Sequence, residues 1–288
     1  MTVSPPPVRP ENPTLPRRWM WILVGGWIVL LTAAAVYAVV DGAPTDREQT
    51  TVARARPVVD EAIARVASAA ATGSVTIVPA VVAVGPFERV GPCDVTVFRA
   101  GERYRRSLTA VVVPGTEAQL LGQVAAALPP AYAAQVRGSE NAPRLVADAG
   151  YWVLVTGAVV APGEVRFVAD TGDCRPAGDS IDTADAEVPV PVDPAAPVFA
   201  TLGVAAEESR SAAVACPEGG TTGTREFALP GPPPGDLDAL LAGPVAALPD
   251  ATTVVSTAAL YGYLTPQAQV AVRAHEDAIA VTVTGVCG

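Results

Sequence analysis

Residues that commonly carry catalysis are sparse in this 288-residue chain. Its one histidine, His275, precedes the acidic pair Glu276-Asp277 at a predicted hairpin turn. A Ser-His-Asp triad would have to use this histidine, but no G-x-S-x-G motif accompanies it. Three adjacent side chains at a hairpin tip rarely converge on one metal ion, so we expect an exposed turn there.

Carboxylates are the second group that could do chemistry, as a paired general acid and base. Adjacent pairs occur at Asp60-Glu61, at Glu207-Glu208 and beside His275. Neighbouring side chains point apart on a helix or a strand, which makes such pairs poor acid–base dyads. We therefore predict no catalytic, cofactor-binding or metal-ligating residue and interpret the chain as a non-enzyme. A hydrolase whose carboxylates meet only in the folded protein is an alternative.

The remaining candidate sites each have a simpler structural interpretation. The glycine-rich segment 219–223 lacks the lysine of a phosphate-binding loop, because every basic residue is arginine, and this segment is predicted to be a hairpin loop. Alternation places Arg103 and Arg105 on one face of a strand, where a solvated sheet face is favoured over an anion site. Tyr151 and Trp152 are expected in the core, since aromatic residues make up only 5% of the chain.

The four cysteines, Cys93, Cys174, Cys216 and Cys287, predict two disulfides. None of them forms the close C-x-x-C pair of a zinc site. Of the three possible pairings, the closing motifs favour one, because TGDC ends at Cys174 and TGVC ends at Cys287. Matched endings predict the pairs Cys93–Cys174 and Cys216–Cys287. Each bond would close a loop of about 70–80 residues and contribute about 4 kcal/mol in the chain-entropy model.

The order of predicted elements around the cysteines indicates an α+β fold with two tandem α-β-β-α-β-β repeat units. Apolar residues at helical spacing and short strand-like runs follow each other in the same order in both halves. We place the units at 57–175 and 198–288, joined by a solvated, acidic and proline-rich linker at 176–197. The linker acids are three residues apart, which does not match the ligand spacing of an EF-hand. The predicted helices are 57–70, 116–128, 196–202 and 236–248, and the predicted strands are 94–98, 107–113, 151–159, 165–169, 225–229, 270–273 and 278–283.

An uncharged apolar run at 19–40 predicts a transmembrane helix, because a helix of this length spans about 33 Å at 1.5 Å of rise per residue. A cleaved signal peptide is the alternative, although its apolar region is usually shorter. Arg17 and Arg18 precede the run and acidic residues follow it, so the positive-inside rule places the proline-rich tail, 1–18, in the cytoplasm. A juxtamembrane linker at 41–56 then leads to the exported part.

Composition and predicted topology together define the expected function. Beyond Val40 the chain has 28 acidic residues and 16 arginines, a net charge of −12, which argues against a nucleic-acid partner. Arginine without lysine, with abundant Ala, Val, Pro and Gly, is typical of a bacterial genome rich in G and C. We expect a single-pass membrane protein of the bacterial cell envelope that acts as a non-catalytic binding or assembly module. Its expected partners are membrane lipid, through the anchor, and an envelope protein or wall component; the alternatives are an exported hydrolase of cell-wall material and a cleaved, secreted module.

Overall fold

The computed structural model describes residues 17–40, 51–71, 78–96, 99–139, 142–172, 174–176, 183–185, 190–203, 207–232 and 235–287, in two compact units, 1–49 and 50–288. The described part of the first unit is one helix, α1 (Arg17–Val40), within which Arg18–Tyr37 is long and apolar enough to cross a membrane. Every residue from 18 to 37 is exposed. An exposed apolar helix near the N-terminus indicates a membrane anchor or a signal sequence.

The second unit begins with helix α2 (Val52–Ala71), which starts five residues before the predicted position at Pro57. Pro57 therefore lies inside the helix rather than at its first position. The difference has a packing cause, because Val52 and Ala55 are buried, as Ile63 is further along the same helix. Tertiary contacts of this apolar stripe extend the helix toward its N-terminus.

The first sheet is antiparallel and has seven strands, which are β1 (Val81–Thr96), β2 (Arg99–Val111), β3 (Gln135–Ser139), β4 (Ala142–Asp148), β5 (Leu154–Ala161), β6 (Glu164–Asp170) and β7 (Arg175–Pro176). Their order is β1-β2-β6-β5-β4-β3, and β7 pairs with β2. Helix α3 (Glu117–Ala127) and helix α2 pack on one face of this sheet. There Leu108, Val155, Phe167 and Leu120 belong to one buried core.

The second sheet is also antiparallel and has six strands, which are β8 (Glu207–Ala215), β9 (Thr221–Pro230), β10 (Thr252–Ser256), β11 (Leu260–Leu264), β12 (Ala268–Ala274) and β13 (Ala278–Gly285). Their order is β10-β11-β12-β13-β9-β8. Helices α4 (Ala196–Leu202) and α5 (Leu237–Ala246) lie within their predicted ranges and pack on one face. Val198 and Leu241 join Phe227 in the core beneath them.

Four strands follow the second helix in each half, not counting the two-residue β7, whereas the sequence pattern predicted two. β3 is exposed along its whole length and β10 along most of it, so neither shows the alternation of a half-buried strand. β1 also begins at Val81 rather than at residue 94, and its register shifts at the glycine–proline pair 85–86, between Arg89 and Gly91, and between Asp94 and Thr96. Bulges let this strand continue through residues that usually interrupt one.

The two sheets pack together through the edge of β1. The Val82 amide donates to Gln269 Oε1 at 2.8 Å, and the Val84 amide donates to Thr224 Oγ1 at 2.8 Å. Side chains of the second sheet thus satisfy backbone groups that an edge strand would otherwise leave unpaired. The contact continues through an apolar cluster that contains Val81, Val111, Val254, Val255, Leu260 and Ala271.

Candidate functional site

Both disulfides join the cysteines in the predicted pairs, with Cα–Cα distances of 5.7 Å for Cys93–Cys174 and 5.9 Å for Cys216–Cys287. Cys93 lies near the tip of the β1–β2 hairpin, opposite Gly101, and Cys174 directly precedes β7. The first bond therefore ties this hairpin to the chain that leaves β6. The second bond ties the β8–β9 turn to the chain that leaves β13.

The turn between β4 and β5, residues 150–153, is the most unusual part of the described surface, and we call it the aromatic turn. Its side chains Tyr151 and Trp152 are 63% and 46% exposed, so the prediction that they lie in the core is wrong. The chain reverses direction here, and two consecutive turn residues cannot both reach the core beneath the sheet. Both have positive φ angles, 51° and 57°, and the Val153 amide donates to the Gly150 carbonyl oxygen at 2.9 Å. This combination is typical of a type I′ turn.

The backbone of the aromatic turn is strained. A residue other than glycine costs about 1–3 kcal/mol in the left-handed region, and type I′ turns prefer Asn-Gly. The rings of Tyr151 and Trp152 are also only partly packed, so a large share of their apolar area faces solvent. Strained residues cluster at binding and catalytic sites, so we take the aromatic turn as the candidate functional site.

Buried groups hold the aromatic turn in this conformation. Arg175 is fully buried and donates through Nη2 to the carbonyl oxygens of Tyr151 at 2.7 Å and Thr171 at 2.6 Å. The Trp152 carbonyl oxygen approaches Gly172 so closely that a Cβ there would lie 2.3 Å from it. Arg175 directly follows a cysteine of the first disulfide, which fixes the chain that carries the guanidinium. The turn is therefore pre-organised by the structure beneath it.

Strand register brings three arginines together on the face of the first sheet opposite its helices. Arg137 lies opposite Arg144, Arg144 lies opposite Ala158, and Ala158 lies opposite Arg166. From β6 to β3 the residues on this face are exposed or half-buried, and we call it the open face. Within the described residues, no ion pair links these three arginines, the arginine row, to a carboxylate.

One end of the open face adjoins the aromatic turn. Arg103 and Arg105 are exposed there on β2, as their alternation predicted, and Arg105 pairs with Glu88 at 2.7 Å. Arg105 lies opposite Asp170, which lies opposite the exposed Leu154. Burial raises the pKa of Asp170, while a backbone hydrogen bond and the nearby arginines act to lower it. This end therefore combines charged groups with an exposed apolar side chain.

A buried ion-pair cluster lies on the other face of the first sheet, around Arg106. The fully buried guanidinium places Nε 2.9 Å from the Asp60 carboxylate, donates through Nη1 to the Ala213 carbonyl oxygen at 2.8 Å and pairs through Nη2 with Asp185. Asp185 belongs to the segment predicted as a solvated linker, yet its side chain is only 6% exposed. A buried guanidinium requires carboxylate partners, and this requirement explains why the acid lies inside.

A groove of about 660 Å³ lies beside this cluster, between α2 and β8, and is lined in part by Arg56, Asp60 and Asp185. Arg56 lies 3.0 Å from Asp185 and 3.6 Å from Asp60. Burial raises the pKa of Asp60, while the charges of Arg106 and Arg56 act to lower it. Two carboxylates and two guanidinium groups thus meet at the wall of this groove.

The residues first considered for catalysis do not converge. His275, Glu276 and Asp277 form an exposed turn between β12 and β13, as predicted. Of the glycine-rich segment 219–223, which was predicted to be a hairpin loop, residues 219–220 lie in the β8–β9 turn and residues 221–223 begin β9. Within the described residues, no three His, Cys, Asp or Glu side chains group as a metal site requires. The predicted linker acids at 179, 182 and 187 lie outside the described residues.

Sequence reasoning missed the arginine row and Arg175. The three arginines are far apart in the sequence. Alternation within a strand predicts which face of the strand a residue occupies, but it does not predict which strands lie beside it. Only the pairing of β3, β4, β5 and β6 places Arg137, Arg144 and Arg166 side by side. Nothing in the sequence around Arg175 distinguishes a buried arginine from an exposed one.

Comparisons of the chain with models of protein families, with curated proteins and with solved structures find no match.

Proposed function

We propose that this chain is a non-catalytic binding protein of the bacterial cell envelope, held in the membrane by α1 with its N-terminus in the cytoplasm. Two observations support this location: an apolar, exposed helix precedes the folded unit, and the four cysteines form disulfides, which persist in oxidising compartments. The aromatic turn carries the proposed binding activity. Its rings are exposed, its backbone is strained and a buried arginine holds it, which are properties of a pre-organised contact site.

We further propose that the exported part consists of two copies of one module. Apart from the two-residue strand β7, both halves follow the order helix, two strands, helix, four strands. Numbered within each half, the strands lie side by side in the same order: first, second, sixth, fifth, fourth, third. In both halves a disulfide joins the first hairpin to the chain after the sixth strand. Shared strand order together with shared disulfide placement supports duplication.

The two proposed modules differ in the faces that they leave uncovered. In the second sheet, Gln269 and Thr224 bind the edge of β1, and Ala212 and Val214 join the core beneath α2. This face lies opposite α4 and α5, so both faces of the second sheet are in contact with other elements. The corresponding face of the first sheet contacts the second sheet at β1 and β2, through Val81 and Val111, and from β6 to β3 it is the open face. The open face, which ends at the aromatic turn, is therefore available to a partner.

Tyrosine and tryptophan suit a contact surface for physical reasons. Each offers a large apolar area and a polar group while losing little rotamer entropy on binding. Both are enriched at protein interfaces and are frequent energetic hot spots. A strained turn fixes their backbone before binding, which lowers the entropy that association must overcome.

Photo-crosslinking of the full chain in cells tests this proposal. A photoreactive amino acid replaces Trp152 in one variant, and in the control variant it replaces Val113, an apolar residue that is 44% exposed. We expect a discrete cross-linked product from position 152 and none from position 113. Equal products at both positions, or no product at position 152 in a folded chain, would contradict the proposal. Protection of the 51–288 region from external protease in intact cells would contradict the location.

The buried cluster supports a second candidate, an exported hydrolase of cell-wall material. Asp60 and Asp185 both contact Arg106 at the wall of the groove, and burial raises the pKa of Asp60 as a general acid requires. The test is release of soluble fragments from purified cell walls by the full chain. This candidate requires that Asp60→Asn and Asp185→Asn each abolish release; no release by the unmodified chain ends it.

A further inference from the structure

We infer that the open face binds a linear anionic polysaccharide, with the arginine row contacting its acidic groups and the aromatic turn contacting a sugar ring. This inference rests on the proposed binding function and names the chemistry of its partner. It follows from strand register, from charge and from the position of the aromatic turn on the same sheet.

The register sets the spacing of the arginine row. Neighbouring strands lie about 4.8 Å apart, so Arg144 and Arg166, which flank Ala158 on β5, lie about 10 Å apart. Arg137 lies one strand further, which gives the row a span of about 14 Å. Because Ala158 has a short side chain, the middle of the row has room for a ligand between the flanking guanidinium groups.

The charges on the row are unbalanced. Arg137 and Arg144 lie directly opposite each other, and like charges in this arrangement destabilise a sheet. An anion bound across them would relieve this repulsion. Guanidinium groups also form paired hydrogen bonds with carboxylates and with phosphates. The row is therefore complementary to a ligand with repeated negative charges, although the exported part as a whole is acidic.

The aromatic turn distinguishes a polysaccharide from other anions. β5 continues directly from the turn, and Leu154, Thr156 and Ala158 follow one another on the open face at about 7 Å intervals. A ligand that extends along β5 from the arginine row reaches the turn after about 13 Å, the distance from Ala158 to Leu154. Exposed aromatic rings there offer an apolar platform for the face of a sugar.

A bilayer surface fits this face less well than a linear chain does. A flat, anionic lipid surface would meet the whole acidic unit and be repelled by its net charge. A linear polymer contacts only the strip from the row to the turn, on which Asp148 and Asp170 are the acidic residues that flank Leu154. The polar Thr156 and the partly buried Asp170 also lie on this face, where insertion into lipid would desolvate them.

The experiment measures binding of the full chain, held in nanodiscs of zwitterionic lipid, to an oligogalacturonate. The comparison probes are neutral maltodextrin of equal length, inorganic polyphosphate, and vesicles in which about one third of the lipid is anionic. We expect saturable binding of the oligogalacturonate that weakens with salt and little binding of maltodextrin. Arg144→Glu with Arg166→Glu should weaken this binding at least about tenfold, and Tyr151→Ser with Trp152→Ser should weaken it without changing its salt dependence.

Matched controls separate the effect of the arginine row on binding from the effect of the net charge of the chain. Arg54→Glu with Arg210→Glu makes the same change in net charge at two exposed arginines away from the open face and should weaken binding less than about twofold. Arg144→Ala should reduce the slope of log affinity against log salt by about 0.7, as expected for the loss of one ionic contact with a flexible polyanion. Cooperative thermal unfolding shows that the variants are folded.

The outcomes separate this inference from the proposed function. Equal losses of affinity in the open-face and control variants would overturn the inference that the ligand is a polysaccharide. Binding of the anionic vesicles but not of the oligogalacturonate would also overturn it. Binding of polyphosphate as tight as that of the oligogalacturonate, and insensitive to the aromatic substitutions, would also overturn it. If position 152 still cross-links to a partner while no anionic glycan binds, only this inference fails; if both experiments fail, the binding function fails with it.

Discussion

The buried guanidinium of Arg175 donates a hydrogen bond of 2.7 Å to the carbonyl oxygen of Tyr151, a residue whose side chain is exposed and whose backbone is strained. This bond connects the interior of the first sheet to its most unusual surface feature. Arg175 also adjoins the disulfide Cys93–Cys174 in sequence, so one chain segment carries both the covalent and the hydrogen-bonded support of the turn.

Arg175→Met is expected to lower the free energy of unfolding by about 2–4 kcal/mol, because the carbonyl oxygens of Tyr151 and Thr171 lose their buried donor. Urea unfolding of the full chain measures this loss. In a chain whose other tryptophans, Trp19, Trp21 and Trp27, are replaced by phenylalanine, the fluorescence of Trp152 should report a looser turn. Arg103→Met, at an exposed position nearby, should change stability by less than about 0.5 kcal/mol. Equal stability of the two variants would show that the Arg175 hydrogen bonds do not support the turn.

Replacement of Tyr151 by Asn together with Trp152 by Gly should stabilise the protein by about 1–3 kcal/mol, because both new residues adopt positive φ readily. The same variant should lose the proposed binding activity. Thermal unfolding and the oligogalacturonate titration measure the two effects on one sample. A fall in stability would indicate instead that the rings pack usefully and that the turn serves the fold.

The two disulfides should contribute equally to stability. They separate their cysteines by 81 and 71 residues, and the chain-entropy model assigns about 4 kcal/mol to each loop, with a difference of only about 0.1 kcal/mol. Replacing either pair by alanine should therefore cause similar losses in urea unfolding. In the background with Trp152 as the sole tryptophan, only removal of Cys93–Cys174 should also alter the fluorescence, since the second bond joins elements of the other sheet. A change of the same size in both variants argues against disulfide support of the turn.

Arg106→Met should destabilise the protein by about 3 kcal/mol, because Asp60 and Asp185 lose a buried cationic partner. This loss is at the low end of the range expected when one partner of a buried ion pair is removed, since Arg56 still contacts the carboxylates of Asp60 and Asp185. Arg105→Met, the next residue along β2 and exposed, is the matched control and should change stability by less than about 0.5 kcal/mol. Similar losses for the two variants would contradict the buried cluster as a structural support.

Asp170 should make stability depend on pH, because burial raises its pKa above the ordinary value of 3.8. In the pH range just above 3.8 the folded state binds more protons at this carboxyl than the unfolded state does. Its contribution to stability is therefore largest below 3.8 and falls as pH rises through the folded pKa. The difference in unfolding free energy between the unmodified chain and Asp170→Asn should decrease over that range and then level off. A pH-independent difference would contradict the raised pKa.

Local sequence signals predicted a substantial part of this structure. The uncharged run at 19–40 predicted α1, and apolar residues at helical spacing predicted α3, α4 and α5, because these patterns depend on neighbours along the chain. The closing motifs at Cys174 and Cys287 predicted the disulfide partners, since a similar motif in each half implies a similar local role. Alternation placed Arg103 and Arg105 on one exposed face.

Tertiary structure alone decided where the isolated polar and aromatic residues lie. Arg106 and Asp185 are 79 residues apart and meet because a guanidinium that is buried by the sheet needs a carboxylate, which local pattern does not encode. Tyr151 and Trp152 are residue types that are common in protein cores, but they occupy a turn, where the chain reverses and their side chains face solvent. Arg137, Arg144 and Arg166 become neighbours through hydrogen bonds between strands. Periodicity reports which face of its own element a residue occupies, whereas pairing and packing decide what that face meets.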